Sequence, residues 1–295
     1  MTVAVEEAVV SSRLAQSLSR AEAQRTALRA VGAASALSAR VAIEAGFDAL
    51  WVSGLEVSTS LGLPDENVLG PRDLADVVSV LGRSAAGLPV IVDIDNAGGS
   101  VATAHRFGAD LTAAGAAALC LEDSTYPKVN SFAEHRHQQL AETALMVDQL
   151  AALREATATQ TLLIARTEML ICGGTLPEAL ERAHTYTEAG ADAVLVHSKD
   201  RSGTQALETA AAWNSRVPLV TVPTAFPHHG PKQLGEAGFS LVIYANQFTR
   251  AALAAMTAAA AHFTATGSFS APGGPPLADV QTLLRIGNPT ARSCL

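Results

Sequence analysis

Short apolar segments alternate along the chain with longer segments of mixed polarity. The short segments are rich in Val, Ile, Leu and Ala and are continuously apolar, which is typical of strands buried on both faces of a parallel sheet. Polar residues follow almost every one of them. The pattern predicts eight strands, at residues 28–34, 47–53, 88–95, 116–122, 161–168, 192–199, 217–224 and 239–246.

The segments between these strands have helical patterns. Residues 2 to about 30 have Leu14, Leu18 and Ala21 at helical spacing. Further helices are predicted at 38–45, 101–114, 140–155, 176–189, 203–213 and 232–237. Four times an alanine–glycine pair stands just before the next strand, at 45–46, 114–115, 189–190 and 237–238. Glycine after the last turn of a helix is typical of a helix-to-strand turn.

Eight strand–helix units in 295 residues predict a (β/α)8 TIM barrel, with a doubly wound open sheet as the alternative. The barrel with its N-terminal helix is assigned to residues 1–265. An Ala-rich helix at 249–263 is followed by a Gly/Pro/Ser-rich linker and a short helix at 277–286. We expect the segment 266–295 to take part in oligomer contacts.

Composition and charge narrow the class of protein. Hydrophobic residues make up 48% of the chain and aromatic residues 4%, which favours a sheet wrapped by helices. A net charge of −8 without a basic stripe disfavours nucleic acid as a partner. No apolar run suits a membrane span and no signal sequence is evident, so a cytoplasmic protein is expected. Cys120, Cys172 and Cys294 have no spacing typical of disulfides or metal sites.

Polar side chains at the strand ends are the candidate chemistry, because barrels of this type carry their active sites at the carboxyl ends of the strands. Asp93 and Asp95 are two residues apart on one strand and therefore project to the same face. With Glu122 on the next strand they offer oxygen ligands suited to Mg²⁺ held partly through water. The alternative is that these acids pair with Arg166 or Lys128 without a metal.

The densest polar cluster is residues 121–131, L-E-D-S-T-Y-P-K-V-N-S, directly after a predicted strand. Arg166 ends the next strand in I-A-R-T-E, where its guanidinium could bind a carboxylate or phosphonate and Glu168 could orient it. An internal Arg–Glu ion pair is the alternative. His197 could donate to a substrate anion or lie behind the site.

Seven motifs together resemble one family over about residues 30–260. They are W-V-S-G-L at 51–55, D-I-D at 93–95, the 121–131 cluster, I-A-R-T-E at 164–168, G-A-D-A-V-L-V-H-S-K at 190–199, V-P-T at 222–224 and V-I-Y-A-N at 242–246. In order and spacing they resemble the phosphoenolpyruvate mutase branch of the isocitrate lyase superfamily. The resemblance implies a (β/α)8 barrel whose eighth helix is exchanged between subunits, in a homotetramer built as a dimer of dimers. It also implies Mg²⁺ and an α-keto-acid or enolpyruvate substrate.

The resemblance also implies residue roles. Asp93, Asp95 and Glu122 match acids that bind Mg²⁺, mostly through water. The residues matching the pocket for the substrate carboxylate and pyruvyl oxygen are Trp51, Ser53, Gly54 and Leu55. Asp65 matches an essential aspartate beside the transferring phosphoryl group, and Arg166 and His197 match phosphoryl ligands. Lys128, Asn130 and Ser131 match a gating loop that closes over the site, with Lys128 and Asn130 acting on the reaction and Ser131 on the substrate.

The implied activity is interconversion of phosphoenolpyruvate and phosphonopyruvate, with phosphonopyruvate hydrolysis as the alternative. A carbon–carbon lyase is disfavoured because the gating loop has no cysteine, and a non-catalytic barrel because the site residues are present. Two departures from the family pattern bear on loop closure. Ser124 stands where the family has lysine, and residues 95–99 are D-N-A-G-G instead of D-T-G-Y-G.

Overall fold

The computed structural model describes residues 2–133, 137–215 and 217–288, so Cys294 and the end of the segment 266–295 lie outside the described residues. Eight parallel strands form a closed barrel in which each strand pairs with the next and the last pairs with the first. The predicted TIM barrel is confirmed, and the open sheet is excluded because Leu28 to Val31 pair with Leu241 to Tyr244.

Each strand lies inside the range predicted for it. The strands are β1 (Leu28–Gly32), β2 (Ala49–Val52), β3 (Val90–Asp93), β4 (Ala118–Glu122), β5 (Leu162–Thr167), β6 (Ala193–Val196), β7 (Leu219–Thr221) and β8 (Phe239–Tyr244). They are one to three residues shorter than predicted at one or both ends, while Asp93, Glu122 and Arg166 stay in the ladder.

Eleven α-helices occur in the described ranges. They are α1 (Thr2–Gln24), α2 (Ala36–Glu44), α3 (Gly54–Leu61), α4 (Pro71–Ser84), α5 (Val101–Ala113), α6 (Thr143–Thr157), α7 (Leu176–Glu188), α8 (Thr204–Ala212), α9 (Pro231–Ala237), α10 (Gln247–Thr266) and α11 (Val280–Ile286). The N-terminal helix ends earlier than predicted because Arg25 adopts φ 52°, outside the helical region. The four glycines of the alanine–glycine pairs all have positive φ.

The barrel interior contains one apolar cluster that includes Trp51, Ile91 and Leu195. Leu14 and Leu18 of α1 belong to the same cluster and are each 2% exposed. They pack near Leu28 and Leu162, which stand at the beginnings of their strands. Helix α1 therefore covers the amino end of the barrel and leaves the carboxyl end open for a site.

Helix α10 behaves differently from the helices that wrap the barrel. None of its twenty residues is buried, and Leu253 and Met256 are 55% and 63% exposed. The short helix α11 also exposes its leucines, Leu283 and Leu284. Two apolar surfaces thus lie outside the barrel core, and the exchange of α10 between subunits stays a prediction. Among the described residues, no helix combines the length and apolarity needed to cross a bilayer.

Candidate active site

A cavity of about 80 Å³ opens at the carboxyl ends of the strands. Eleven of the thirteen predicted site residues line it, namely Trp51, Ser53, Leu55, Asp65, Asp93, Glu122, Lys128, Asn130, Ser131, Arg166 and His197. The other two, Gly54 and Asp95, line an adjoining cavity of about 240 Å³ that shares Asp93 with the first. The structure therefore brings all thirteen residues together, while their roles remain predictions.

Backbone and indole hydrogen-bond donors form one wall of the cavity. Ser53 is the N-cap residue of α3 but makes no capping bond with its side chain, so the first turn of this helix begins at the cavity. Backbone N–H groups at a helix N-terminus favour anions. The indole Nε1 of Trp51 is buried and has no partner among the described residues. This wall can bind a carboxylate.

The turn after β3 has an unusual backbone. Asp95 and Ala97 both have φ 49°, in the left-handed region, and Gly98 and Gly99 follow with φ 73° and 70°. The turn is held from two sides, since the amide of Asp95 donates to Asp93 Oδ1 at 3.2 Å and the Gln149 side chain donates to the carbonyl of Asn96 at 2.9 Å. These bonds fix the two carboxylates at the rim.

Lys128 lies between two carboxylates. Its Nζ is 2.8 Å from Asp65 Oδ1 and 2.5 Å from Asp95 Oδ1, and the residue is 7% exposed. Burial alone would lower the pKa of the ammonium group, but the carboxylates of Asp95 and Asp65 raise it above its ordinary value. Burial raises the pKa of Asp95 to about 6, although Lys128 lowers it in part. Lys128 therefore remains charged and joins the 121–131 loop to two other loops.

Asn67 and Asn96 form a hydrogen-bonded clamp on the same loop. Asn67 Oδ1 accepts from the amide of Lys128 at 2.5 Å and from Asn96 Nδ2 at 3.3 Å. Asn96 Nδ2 also donates to the carbonyl of Thr125 at 3.0 Å. Ser124, in place of the family's lysine, donates to Glu122 Oε1 at 2.6 Å. The two departures from the family pattern thus meet in one network that holds the loop down.

Asn130 and Ser131, further along the same loop, also reach the cavity. Asn130 Nδ2 donates to Asp65 Oδ2 at 2.6 Å, and Ser131 Oγ donates to Glu168 Oε2 at 2.9 Å. Phe132 follows with its ring edge against His197, at 6.5 Å between ring centroids. The loop therefore covers the cavity and contacts it through side chains at three successive positions.

Arg166 is the central cation on the opposite side. Its guanidinium lies 3.4 Å from Asp93, 3.3 Å from Glu122 and 2.5 Å from Glu168. The same Glu168 oxygen lies 2.7 Å from His197 Nδ1. The Arg–Glu ion pair weighed from the sequence therefore exists, and Arg166 also lines the cavity. The contact of Arg166 with a substrate anion, the other interpretation made from the sequence, stays a prediction.

The two glutamates around Arg166 have opposite pKa shifts. Burial would raise the pKa of Glu168, but Arg166 and His197 hold it well below its usual range. Burial raises the pKa of Glu122 to about 8, with Arg166 lowering it and Glu168 raising it. Glu168 is therefore a fixed anion that orients Arg166 and His197. The positive charge around Glu122, in contrast, is too small to offset the burial of its carboxylate.

Asp123 supports these groups from behind. Its carboxylate, fully buried, accepts from Thr167 Oγ1, the amide of Glu168 and the hydroxyl of Tyr186, each at 2.8 Å. Arg182 adds an ion pair at 3.1 Å. Because Asp123 faces this network, it does not line the cavity, and its function is to hold the end of β5 in place.

The acids predicted to bind Mg²⁺ are paired with protein cations. Across residues 2–133, 137–215 and 217–288, no three His, Cys, Asp or Glu side chains form a group that could hold a metal ion directly. Arg166 contacts Asp93 and Glu122, and Lys128 contacts Asp95. A chemical fit nevertheless exists, because the donors are hard oxygens and the pKa of Glu122 is raised to about 8. Such a set suits Mg²⁺ that retains several of its waters.

Asn67 is a site residue that the sequence did not single out, and Asn96 was noted only as part of the D-N-A-G-G stretch at 95–99, without a contact. Each lies in a loop without a pattern, and each contacts residues at least 28 positions away. Gln138 is a third, since its side-chain amide donates to Glu168 Oε2 at 3.3 Å and to the carbonyl of Val129 at 3.1 Å. A single sequence carries no local signal for such contacts.

The family model described as phosphoenolpyruvate phosphomutase matches residues 18–264. A phosphoenolpyruvate phosphomutase of Streptomyces hygroscopicus is 37% identical over 231 residues, 78% of this chain and 74% of the relative. A phosphonopyruvate hydrolase of Variovorax sp. (strain Pal2) is also 37% identical, over 234 residues, 77% of this chain and 79% of the relative. Equal identity to both does not separate the two activities.

Solved structures of the same two kinds of enzyme are also similar to this chain. A phosphoenolpyruvate phosphomutase from Streptomyces platensis subsp. rosaceus superposes with a TM-score of 0.86 at 36% identity, over 92% of this chain and 94% of that chain. A phosphonopyruvate hydrolase in complex with oxalate and Mg²⁺ superposes with a TM-score of 0.82 at 32% identity, over the same shares. The fold is thus shared with phosphoenolpyruvate phosphomutases and phosphonopyruvate hydrolases.

Proposed function

Because the chain belongs to the phosphoenolpyruvate phosphomutase family, within a superfamily of enzymes that act on small anions, we propose that it interconverts phosphoenolpyruvate and 3-phosphonopyruvate. The observation that carries the proposal is the contact between Asn130 and Asp65, 2.6 Å, beneath a loop that Lys128 also ties to Asp65. These contacts close the loop over the cavity. A closed loop keeps water from the phosphoryl group, as a mutase requires.

The pyruvyl part of the substrate is bound by the donor wall. The amides at the first turn of α3 and the Trp51 indole N–H donate to its carboxylate and to the oxygen that becomes the enolate. Asp93, Asp95 and Glu122 would hold Mg²⁺, largely through water. The similar phosphonopyruvate hydrolase was solved in complex with oxalate and Mg²⁺. When bound, the ion supplies Lewis-acid stabilisation of the enolate, worth several kcal/mol.

The phosphoryl group moves between C3 and the enolate oxygen of pyruvate. Its transition state is loose and carries negative charge on three oxygens, so positioned cations and donors stabilise it. Arg166 and His197 provide them on one side, held in place by Glu168. Asn130 and Lys128 provide them from the loop, and Asp65 holds both of these side chains.

A phosphonopyruvate hydrolase is the second candidate. It is supported by the Variovorax relative, which is as similar as the mutase, and by Ser124, which leaves the loop without the cation of the family pattern. The two candidates differ only in whether water reaches the phosphoryl group. A lyase is less favoured because residues 121–133 contain no cysteine, and a non-catalytic barrel because the charged cavity is complete.

We also propose a homotetramer in which α10 is exchanged between subunits. The proposal is supported by the apolar side chains of α10 and by an apolar groove of about 410 Å³ beside its first turns, lined by Leu37, Val41 and Phe248 among others. A cytoplasmic location stays the expectation from the sequence.

The test is ³¹P NMR of the enzyme with phosphonopyruvate and Mg²⁺. Formation of a phosphate-ester signal supports the mutase, whereas inorganic phosphate with pyruvate means hydrolysis. Full turnover in EDTA would contradict the metal assignment. Asp65→Ala should abolish either activity, because both Lys128 and Asn130 lose the carboxylate that holds them.

A further inference from the structure

Glu56 is a buried carboxyl group for which the proposed reaction has no use. It lies in the first turn of α3 and is 1% exposed, yet it does not line the cavity. Its Oε2 atom has no hydrogen-bond partner among the described residues. An acid in this position costs stability unless the fold uses it.

The other oxygen of Glu56 contacts the beginning of α10. Oε1 accepts from the amide of Thr249 at 3.4 Å, across 193 positions of sequence. Thr249 is the third residue of α10, and the N-cap residue Asn246 makes no capping bond with its own side chain. The first N–H groups of a helix require acceptors. Glu56 therefore supplies from α3 the cap that α10 does not provide for itself.

Gly32 leaves space for this contact. A Cβ at this position would overlap with Glu56 Oε2 and with the carbonyl oxygen of Ala245. The end of β1 therefore approaches the carboxyl group so closely that no side chain fits. Burial raises the pKa of Glu56 to about 7, and the hydrogen bonds from Thr249 lower it in part. The carboxyl is thus enclosed by β1, the segment after β8 and α10.

The two elements that Glu56 joins both contribute to the cavity wall, on either side of β1. Leu55, the preceding residue, lines the cavity from α3. Ala245 and Asn246, just before α10, line it from the end of β8. A shift of α10 relative to α3 would change the spacing of these walls.

We propose that Glu56 is a positioning residue that caps α10 from α3 and thereby fixes the wall of the cavity formed by Leu55, Ala245 and Asn246. The effect on α10 follows from the contacts alone. The effect on the substrate rests on the proposed function, since it needs a substrate that uses this wall.

The experiment compares Glu56→Ala, Glu56→Gln and the surface control Thr59→Ala on the same helix. Hydrogen exchange by mass spectrometry reports on residues 247–250. We expect exchange there to become about tenfold faster in Glu56→Ala, because a cap has been lost, and to stay near wild type in Glu56→Gln, whose amide oxygen still accepts. In Glu56→Ala, where exchange is faster, the KM for phosphonopyruvate should also rise, whereas kcat should change less.

Wild-type protection of residues 247–250 in Glu56→Ala would overturn the capping role, and faster exchange with an unchanged KM would overturn the link to the cavity. If Glu56→Ala does not fold, Gly32→Ala tests the same contact from β1. It should give the same faster exchange at residues 247–250, and wild-type exchange there would refute the proposal. If wild type leaves phosphonopyruvate unchanged, the proposed function fails, while the exchange result still decides the capping role.

Discussion

The Asn67 clamp leads to a prediction about the fate of the phosphoryl group. Asn67→Ala removes the acceptor for the Lys128 amide and for the Asn96 side chain. The Asn96 side chain keeps the Thr125 carbonyl as an acceptor, but the Lys128 amide loses its partner, and a buried donor left without one costs about 1–3 kcal/mol. At about 2 kcal/mol, the ratio of closed to open loop falls by a factor of roughly 30. The barrel core should be unaffected, because the mutated residue, Asn67, is only half-buried and belongs to a loop outside the apolar clusters.

The loss should appear in the products as well as in the rate. With phosphonopyruvate as substrate, ³¹P NMR of the mutant should show a larger share of inorganic phosphate relative to phosphoenolpyruvate, since water enters more often. Turnover to phosphoenolpyruvate should fall about tenfold or more. Asn214→Ala, the same change at an exposed position between α8 and β7, serves as the control and should change neither quantity.

An unchanged phosphate share together with wild-type turnover in Asn67→Ala would refute the idea that the clamp holds the loop. A fall in turnover with no additional phosphate would mean that the clamp orients Lys128 without excluding water. If wild type already forms only phosphate, the enzyme is a hydrolase. The clamp would then be judged by the fall in turnover alone.

Three further predictions concern charge, pH and assembly. Arg166→Met should abolish turnover and lower the free energy of unfolding by about 3–5 kcal/mol, because it leaves buried acids unpaired. The control Arg106→Met, at an exposed ion pair, should lower it by at most about 1 kcal/mol. Urea denaturation measures both. The pKa of Glu56 is raised from 4.5 to about 7, so the folded protein binds this proton more tightly than the unfolded chain does. The free energy of unfolding should therefore fall as pH rises from about 4.5 through 7, by up to about 3 kcal/mol. In thermal melts across this range Glu56→Gln should reduce the slope of stability against pH, and an identical slope would contradict the assignment. Met256→Glu on α10 should lower the mass measured by light scattering, and an unchanged mass would place the subunit interface elsewhere.

The strands and the site residues at their ends could be predicted from sequence because the signal is local. Strands such as β3 and β4 are continuously apolar and are followed directly by acids. Barrel geometry then brings the strand ends together without further information. For the same reason, Asp93, Glu122 and Arg166 could be placed near one another before their distances were known.

Helices α3 and α4 were not predicted from the sequence, and they differ in how strong their sequence patterns are. Helix α4 carries Leu74, Val78 and Leu81 at helical spacing behind Pro71, a pattern that predicts a helix. Helix α3 is short and mixes small and polar residues, so its pattern is weak. Its position depends on burial of Val57 against the barrel, which is a tertiary effect.

The pairing of the acids could not be decided from sequence. Both a shared Mg²⁺ and pairing with protein cations were open for Asp93, Asp95 and Glu122. The structure places Lys128 and Arg166 within ion-pair distance of them, which depends on how the loop folds back over the barrel. The clamp is of the same kind, since Asn67 and Lys128 are 61 positions apart.

The left-handed backbone at Asp95 limits how this position can change. Aspartate and asparagine tolerate φ near 49° better than alanine does, and glycine tolerates it best. Alanine at position 95 would therefore remove a carboxylate and strain the turn at once, whereas asparagine would remove only the charge. A lineage that gave up this carboxylate would lose least by passing through asparagine or glycine. The identity of residue 95 is thus selected by conformation as well as by chemistry.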